Sequence, residues 1–501
     1  MLSSSLPLAI RKAEKDRFGE VFTPTGLINA MLDKLPPSVW TDPAKKWLDP
    51  AAGFGNFFME VYPRLMKSLE HVIPEPAQRR RHILTQMLYM VEVNEESCER
   101  IRENPMFVGD DDEGNRVEVN LFGGSFSDPA VGTNAFTVEI AQFDVIVGNP
   151  PFNADQTHEG KKGGGSNLWP MFVDKSLSPR GNLLKPNGYL LFVHPALWRK
   201  PPSPRAPTQF ELMTHENHML YLEIHSKPDG KIVFGAQTRY DYYVIQKRKP
   251  IPGVSTTVIK DQLGQTYPVF DLSRWHFLPN HSYDVTEPLL RSSDDTSEPI
   301  VIFSRGKYGT DKRWVHEHQH TPEDIPLIHS TPIKGPRILW SDPVECVVLE
   351  GVEDCAPMVG VPKVIFGESG INKVIIDLEG QYGMTQCAIG LRIPGVNPDE
   401  QKAEAELMAA ALESDIFHDI LDAMSFSNFR IDWRMFLYLR SDFYRHPMFS
   451  DAIQHVRPSF TKTKTARAGP PSTQRKKPTG GLGGSKKKRY CKCKTRRHKR
   501  R

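Results

Sequence analysis

The residues with the most specific chemistry in this sequence are Asn149, Pro150, Pro151 and Phe152, which follow the apolar run 145–147. That run predicts a buried parallel strand, and the prolines end it because they can continue neither a strand ladder nor a helix. The tetrapeptide is therefore predicted to form a stiff turn at the carboxyl edge of a sheet, where open α/β folds bind ligands. A strand-ending turn with no further role is the alternative interpretation.

The turn carries groups that suit methylation of the exocyclic amino group of a nucleobase. Such a nitrogen is a poor nucleophile because its lone pair is delocalised into the ring. The Asn149 side-chain oxygen and the Pro150 carbonyl could accept its two N–H protons and favour a pyramidal nitrogen, through positioning and preorganised dipoles. Phe152 could stack on a base flipped out of a duplex. The transfer would be direct, without a covalent intermediate, a metal or a catalytic cysteine.

A second candidate ligand site lies upstream, where a short apolar entry leads through Gly53 and Gly55 into the amphipathic run 57–69. The pattern predicts a strand, a glycine turn and a helix. The glycines would let the backbone approach a bulky ligand, and the helix start offers N–H groups to a carboxylate. A dinucleotide-phosphate loop is the competing interpretation, but Phe58 stands where that loop needs its third glycine.

The next apolar strand, predicted over residues 88–93, carries Glu92. Its carboxylate could accept hydrogen bonds from ribose hydroxyls. A solvated residue at a strand end is the simpler alternative, and the position after the glycine turn favours the ligand role.

In this order the motifs resemble the gamma class of S-adenosylmethionine-dependent amino-methyltransferases, the N6-adenine DNA modification enzymes of type I and type II restriction systems. The similar segments are residues 18–24, 49–57, 88–94 and 149–152. The resemblance implies an α/β fold with a doubly wound, mostly parallel sheet of the Rossmann-like class I methyltransferase type. It also implies S-adenosylmethionine as the cofactor, a flipped adenine in DNA as the substrate, and room for a separate specificity subunit.

The resemblance further implies a role for each site residue. Catalysis is expected from Asn149, Pro150, Pro151 and Phe152. Cofactor binding is expected from Thr23, Pro24, Asp49, Ala51, Gly53, Gly55, Glu92, Ser125 and Phe126. The target base is expected to contact Phe152 and Phe234.

Two of these assignments depart from the family pattern or have a competitor. An acidic residue usually stands where Ser125 lies, so Asp128 and Asp110 are alternative partners for the cofactor adenine. Phe234 is placed in a late hairpin spanning residues 231–245, and a core aromatic on a strand is the alternative.

The length of 501 residues and the 39% hydrophobic content predict more than one folded part. We expect a catalytic domain over residues 1–250, a proline-rich break at 249–252, and a mixed α+β target-recognition domain over 251–456. Residues 403–424 are predicted to be helical. The aromatic and arginine-rich segment 426–444 favours a buried helix over a nucleic-acid contact.

Charge is distributed unevenly along the chain. Residues 457–501 contain 18 Lys or Arg and no Asp or Glu, which leaves 46 basic and 60 acidic side chains, a net charge of −14, in residues 1–456. The last segment is predicted to be a disordered basic tail. Its expected roles are nonspecific phosphate contact or nuclear targeting.

No metal site is expected. His316, Glu317 and His320 match a zinc-protease pattern, but Pro322 leaves little room for the helix which that pattern requires. Six unpatterned cysteines and the lack of a secretory signal or apolar span predict a soluble intracellular protein, in a nucleus or associated with a genome if the tail binds DNA.

The favoured function is N6-adenine methylation of DNA. RNA adenine or protein glutamine methylation ranks second, N4-cytosine methylation is a variant that the tetrapeptide alone does not separate, and a catalytically dead methyltransferase fold that binds nucleic acid is the alternative from a different class.

Overall fold

A nine-stranded sheet organises the first part of the computed structural model, which describes residues 23–111, 114–128, 131, 142–152, 167–202, 209–292, 294–302, 315–341, 359–426 and 430–454. The strands, in chain order, are β1 (Trp47–Asp49), β2 (Leu88–Glu92), β3 (Val108–Asp110), β4 (Arg116–Glu118), β5 (Asn120–Gly123), β6 (Phe143–Gly148), β7 (Leu184–Pro195), β8 (His218–His225), β9 (Tyr240–Gln246), β10 (Thr257–Lys260), β11 (Thr266–Phe270), β12 (Val301–Ile302), β13 (Val315–His316), β14 (Ile325–Ser330), β15 (Arg337–Ser341), β16 (Lys363–Gly367), β17 (Gly370–Asp377), β18 (Gly383–Met384) and β19 (Ala388–Arg392).

The order of strands in the large sheet is β11-β10-β8-β9-β7-β6-β1-β2-β5. Strands β5, β2, β1, β6 and β7 run parallel to one another, whereas β9 runs antiparallel to both of its neighbours. The strands β1, β2 and β6 are buried along their whole length, as expected of parallel strands covered on both faces. This arrangement confirms the predicted α/β fold with a mostly parallel sheet.

Side chains of the central strands alternate between two hydrophobic cores, one on each face of the sheet. Trp47 and Val145 point into one core, and Leu48 and Ile146 point into the other. Helices cover both faces, so the sheet is doubly wound. The α-helices are Thr25–Leu32, Ser38–Thr41, Asn56–Ser68, Pro76–His82, Glu95–Glu103, Trp169–Leu177, Gln209–Thr214, Lys227–Phe234, Tyr283–Thr286, Pro398–Leu412, Asp415–Ala423 and Ser450–Gln454.

The sheet continues beyond residue 250, where the catalytic domain was expected to end. Strand β10 pairs in parallel with β8, and β11 forms the edge of the same sheet. Ile259, Phe270 and Tyr283 belong to the core beneath it. The prolines at 250 and 252 therefore stand in a short connection between strands rather than in a linker.

The region after residue 290 contains two four-stranded sheets, ordered β12-β19-β16-β17 and β13-β15-β14-β18, with helices packed on the first. This agrees with the predicted mixed α+β composition. The helical prediction for 403–424 is confirmed, with an interruption where the Ser414 side chain accepts a hydrogen bond from the Phe417 backbone N–H and starts a second helix.

The helix predicted over 426–444 is wrong in its secondary structure. The described part forms the 3₁₀ turns Trp433–Leu437 and Phe443–Arg445. Asp432 caps the first turn and pairs with Arg434, and Asp442 pairs with Arg440. Phe426, Phe436, Phe443 and Tyr444 are nevertheless buried, as predicted, whereas Trp433 and Tyr438 are half-buried. Residues 18–22 of the N-terminal motif and the basic tail lie outside the described residues. Among those described, none of the helices has the length and apolar character to span a membrane.

Candidate active site

A cavity of about 330 Å³ opens at the carboxyl edge of strands β1, β2 and β6. Its lining comes from six segments of the chain, at residue 23 and within 50–57, 91–93, 124–127, 149–152 and 168–172. Ten predicted site residues line it: Thr23, Ala51, Gly53, Glu92, Ser125, Phe126, Asn149, Pro150, Pro151 and Phe152. The glycine turn and the catalytic tetrapeptide therefore face one space.

The tetrapeptide predicted to be catalytic, residues 149–152, begins where β6 ends at Gly148. A Cβ at position 148 would lie 3.0 Å from Asp49 Oδ1, so a side chain there would require the Asp49 side chain to shift by a few tenths of an ångström. The next residue, Asn149, donates a hydrogen bond from Nδ2 to Thr23 Oγ1 over 3.0 Å. Since the amide is planar, this bond fixes the side-chain oxygen on the side away from Thr23.

Glu92 holds the glycine turn through hydrogen bonds to its carboxylate. The Gly53 backbone N–H donates to Glu92 Oε2 at 2.7 Å, and the Asn94 backbone N–H donates to Oε1 at 2.8 Å. Gly53 and Gly55 both have positive φ, at 53° and 80°. A side chain at Gly53 would meet no atom within 4 Å, so its bare backbone borders open space.

Three residues expected to touch a cofactor do not line the cavity, and their role in cofactor binding stays a prediction. Pro24 is exposed at the start of the helix Thr25–Leu32. A side chain at Gly55 would meet the Phe107 ring at 2.6 Å, so this glycine serves packing. Asp49 is buried beneath the turn, where its Oδ1 accepts a hydrogen bond from the Ala51 N–H at 3.2 Å.

Asp49 nevertheless bears on what the cavity can bind. Burial, with a smaller effect of the Glu92 charge, raises the pKa of Asp49 to about 8. Its Oδ2 is buried and accepts no hydrogen bond in the described part of the chain. A cationic ligand near this carboxylate would favour its ionised form.

Ser125 stays a predicted partner for a cofactor adenine. It lines the cavity and shares a hydrogen bond of 2.7 Å with Ser127 Oγ. Of the two acidic alternatives, Asp110 lies on the small ribbon formed by β3 and β4, and Asp128 points to solvent; neither lines the cavity. The neighbouring Phe126 ring stacks on Phe172 with centroids 4.7 Å apart.

Phe234 lies beside the catalytic turn, although not in the predicted hairpin. It is the last residue of the helix Lys227–Phe234, and its ring packs edge-on against Phe152 at 6.1 Å and Tyr240 at 4.8 Å. The sequence contained the signals for this helix: Ser226 and Asp229 form a capping box, and Gly235 ends the helix with a φ of 65°.

Sequence reasoning missed several lining residues. They are Phe54, Asn56, Phe57, Leu168, Met171 and Phe172. Phe54, Asn56 and Phe57 could have been predicted from the glycine turn, because the helix that starts at Asn56 has its first turn beside the cavity. The last three lie at the start of the helix Trp169–Leu177, which follows the catalytic turn in sequence.

The histidine-rich segment does not form the helix of a zinc protease. His316 ends the short strand β13, and its ring lies 4.3 Å from the ring of His320 in the loop that follows. No group of three or more His, Cys, Asp or Glu side chains that could hold a metal occurs among the described residues.

Comparison with known proteins supports the predicted resemblance. Residues 82–228, which include β2 and the catalytic tetrapeptide, match the family model of the Eco57I restriction-modification methylase. A 75-residue stretch is 44% identical to an "Uncharacterized adenine-specific methylase" of Mycoplasma pneumoniae, covering 14% of this chain and 18% of that protein. The chain thus matches less than a fifth of the length of this curated relative.

Solved structures with partial similarity to this chain include restriction-modification enzymes. The type IIL enzyme MmeI in complex with DNA is 10% identical, with a TM-score of 0.44 over 83% of this chain and 67% of that one. The M protein of the type I restriction enzyme EcoKI is 15% identical, with a TM-score of 0.33 over 49% of this chain and 48% of that one.

Proposed function

We propose that this protein transfers a methyl group from S-adenosylmethionine to the N6 amino group of adenine in DNA. The proposal is carried by one observation: Asn149 and Pro150 border the same cavity as the glycine turn at Gly53. The match of residues 82–228 to a restriction-modification methylase family and the identity with an adenine-specific methylase support the choice of adenine and of DNA.

The residues of the cavity divide into two groups by what they would hold. Glu92 would accept hydrogen bonds from the ribose, Ser125 from the adenine amino group, and Asp49 would face the positive charge. Gly53 would let the ligand approach the backbone. S-adenosylmethionine supplies an electrophilic methyl group on a sulfonium.

The tetrapeptide would act on the acceptor base. The oxygen of Asn149, oriented by Thr23, and the carbonyl of Pro150 would accept the two N–H bonds of the amino group and so direct its lone pair at the methyl donor. Phe152 and Phe234 would hold the flipped ring. The amino nitrogen then needs no covalent enzyme intermediate. Cys98 lies outside the lining, and burial raises the pKa of its thiol to about 11.

The remainder of the chain would select and hold DNA. We propose that the catalytic unit extends to about residue 285, since Tyr283 belongs to its core, and that the target-recognition region follows up to residue 456. A separate specificity subunit would be a further partner. The basic tail from residue 457 would contact phosphates without sequence selectivity and would suit a location at a genome or in a nucleus.

The proposal is tested by incubating the purified protein with labelled S-adenosylmethionine and unmethylated genomic DNA, followed by digestion to nucleosides and mass spectrometry. Labelled N6-methyladenine is the expected product. N4-methylcytosine would correct the acceptor base. No label in DNA, with cofactor binding demonstrated by calorimetry, would contradict the DNA substrate, and label appearing instead in RNA or protein supplied in parallel would identify the true acceptor.

A further inference from the structure

Lys175 holds the loop that follows strand β5 from outside the cavity. Residues 124–127 of this loop line the cavity, whereas Lys175 does not. The Lys175 ammonium donates hydrogen bonds to the backbone carbonyls of Phe126 and Asp128, the second over 2.9 Å. It also lies 4.9 Å from the centre of the Phe126 ring. The loop is thus tied to a side chain that belongs to a different element.

The two hydrogen bonds of Lys175 have a charged donor, and such bonds are stronger than those between neutral groups. Lys175 is half-buried, and burial, opposed by the charge of Asp128, lowers the pKa of its amine. The loop itself is a tight turn, because the Asp128 N–H donates to the Ser125 carbonyl at 2.9 Å. The turn and the lysine together determine where Ser125 lies.

The helix that carries Lys175 also contacts the tetrapeptide predicted to be catalytic. Just before this helix, Trp169–Leu177, the Leu168 N–H donates to the Phe152 carbonyl at 3.2 Å. In the middle of the helix, the Phe172 ring stacks on the Phe126 ring with an angle of 11° between the planes. Lys175 follows in the last turn. Since a helix rises about 1.5 Å per residue, roughly 10 Å of rigid backbone separate the contact with the tetrapeptide from the contact with the loop.

We propose that Lys175 is a positioning residue that holds the loop 124–128 where Ser125 and Phe126 meet the cofactor adenine. The inference rests on the proposed function, since it takes the ligand of the cavity to be S-adenosylmethionine. Lys175 acts through the loop carbonyls and touches neither cofactor nor substrate. Without its ammonium, cofactor binding has to order the loop, which costs affinity. The hydrogen bond between Asn149 and Thr23 does not depend on it.

The test compares the full-length wild-type protein with Lys175→Met and with the matched control Lys67→Met. Methionine keeps most of the apolar stem and removes the ammonium. Lys67 is exposed in the last turn of the helix Asn56–Ser68, whose first turn lines the same cavity. The measurements are the Kd for S-adenosylmethionine by calorimetry, the thermal midpoint, and kcat for methyl transfer to unmethylated genomic DNA at saturating cofactor. Lys175→Gln, which keeps a shorter N–H donor, is judged by the same measurements if Lys175→Met does not fold.

The expected result is a rise of about tenfold in the Kd of Lys175→Met, the loss of roughly one charged hydrogen bond, with kcat within about twofold of the wild type. Lys67→Met should match the wild type in both. A lowered thermal midpoint with an unchanged Kd would mark a purely structural lysine and overturn the proposal, as would failure of both Lys175 variants to fold. A reduced kcat with an unchanged Kd, or an equal rise in the Kd of Lys67→Met, would overturn it as well.

Failure of this inference and failure of the proposed function give different results. Transfer of methyl groups to adenine in DNA, with equal Kd values for the wild type and Lys175→Met, would contradict the role of Lys175 alone. A tenfold rise in Kd in a protein whose wild type binds S-adenosylmethionine but methylates no DNA would contradict the DNA substrate and leave the role of Lys175 standing. A wild type that does not bind S-adenosylmethionine would contradict both.

Discussion

Thr23 Oγ1 accepts a hydrogen bond from Asn149 Nδ2 at 3.0 Å, joining two residues that are 126 positions apart in the chain. Both line the cavity, and Thr23 is buried. Thr23, from the N-terminal motif, therefore determines which way the Asn149 amide faces. An amide turned the other way would present N–H groups to an amino group that needs acceptors.

Thr23→Val should therefore reduce turnover more than it reduces cofactor affinity. The substitution keeps the shape of the side chain and removes the acceptor, worth about 1 kcal/mol, so kcat is expected to fall by roughly fivefold to tenfold. Thr23→Ser, which keeps the hydroxyl, should recover most of the rate. The kcat of each variant and the cofactor Kd from calorimetry provide the check; a loss of affinity with unchanged kcat would assign Thr23 to the cofactor alone.

Substitutions at the two glycines of the turn should have different effects, one on cofactor binding and the other on the stability of the fold. Gly53→Ala places a methyl group toward open space, so it should weaken S-adenosylmethionine binding. It should lower the free energy of unfolding only by the strain of a positive φ, about 1 kcal/mol.

Gly55→Ala should instead destabilise the fold by roughly 2–4 kcal/mol, since the new Cβ would meet Phe107 at 2.6 Å at a φ of 80°. Urea unfolding and calorimetry on both variants measure the two effects. The opposite pattern, with Gly55→Ala stable and unable to bind, would show that the cavity has been assigned to the wrong side of the turn.

Asp49 should make the ligand-free protein less stable as the pH rises. Its pKa of about 8 in the folded state exceeds that of the unfolded chain, near 3.8, so the folded protein binds the extra proton between these values. The free energy of unfolding should therefore decrease from about pH 4 to pH 8 through this group. Asp49→Asn, which is neutral throughout, should show a flatter profile between pH 5 and pH 8 in urea titrations; parallel profiles would refute the raised pKa.

Phe234→Ala should raise the KM for DNA and leave cofactor binding intact, because the ring packs on Phe152 and does not line the cofactor cavity. Base–aromatic stacking contributes about 1–3 kcal/mol, which corresponds to roughly 5-fold to 150-fold in KM. Phe234→Tyr, which keeps the ring, should behave nearly as the wild type. An unchanged KM for DNA in Phe234→Ala would leave Phe234 with a packing role only.

The parts of the site that were predictable from the sequence depend on short local patterns. The apolar run before Asn149 and the small residues around Gly53 specify a strand end and a turn, and both occur as expected. Parallel strands then bring these turns to one edge of the sheet, so their meeting in one cavity also followed from the pattern.

The parts that were missed depend on contacts between distant residues. The extension of the sheet past residue 250 requires β10 to pair with β8, and no local pattern specifies that partner. The hydrogen bond between Thr23 and Asn149 likewise arises only from tertiary packing. The helix ending at Phe234 is a different case. Its capping residues were visible in the sequence, but a hairpin was predicted there instead because the family pattern has one.

The central claim, that the Asn149 amide oxygen activates an adenine amino group beside a bound methyl donor, is tested most directly by Asn149→Ala. S-adenosylmethionine binding is measured by calorimetry, and N6-methyladenine formed in unmethylated genomic DNA is measured by mass spectrometry, for this variant and the wild type. Loss of an acceptor that acts in the transition state should reduce kcat by about 100-fold to 1000-fold while the Kd for S-adenosylmethionine stays within a few fold. Equal yields of N6-methyladenine from the two proteins would contradict the proposed role of Asn149.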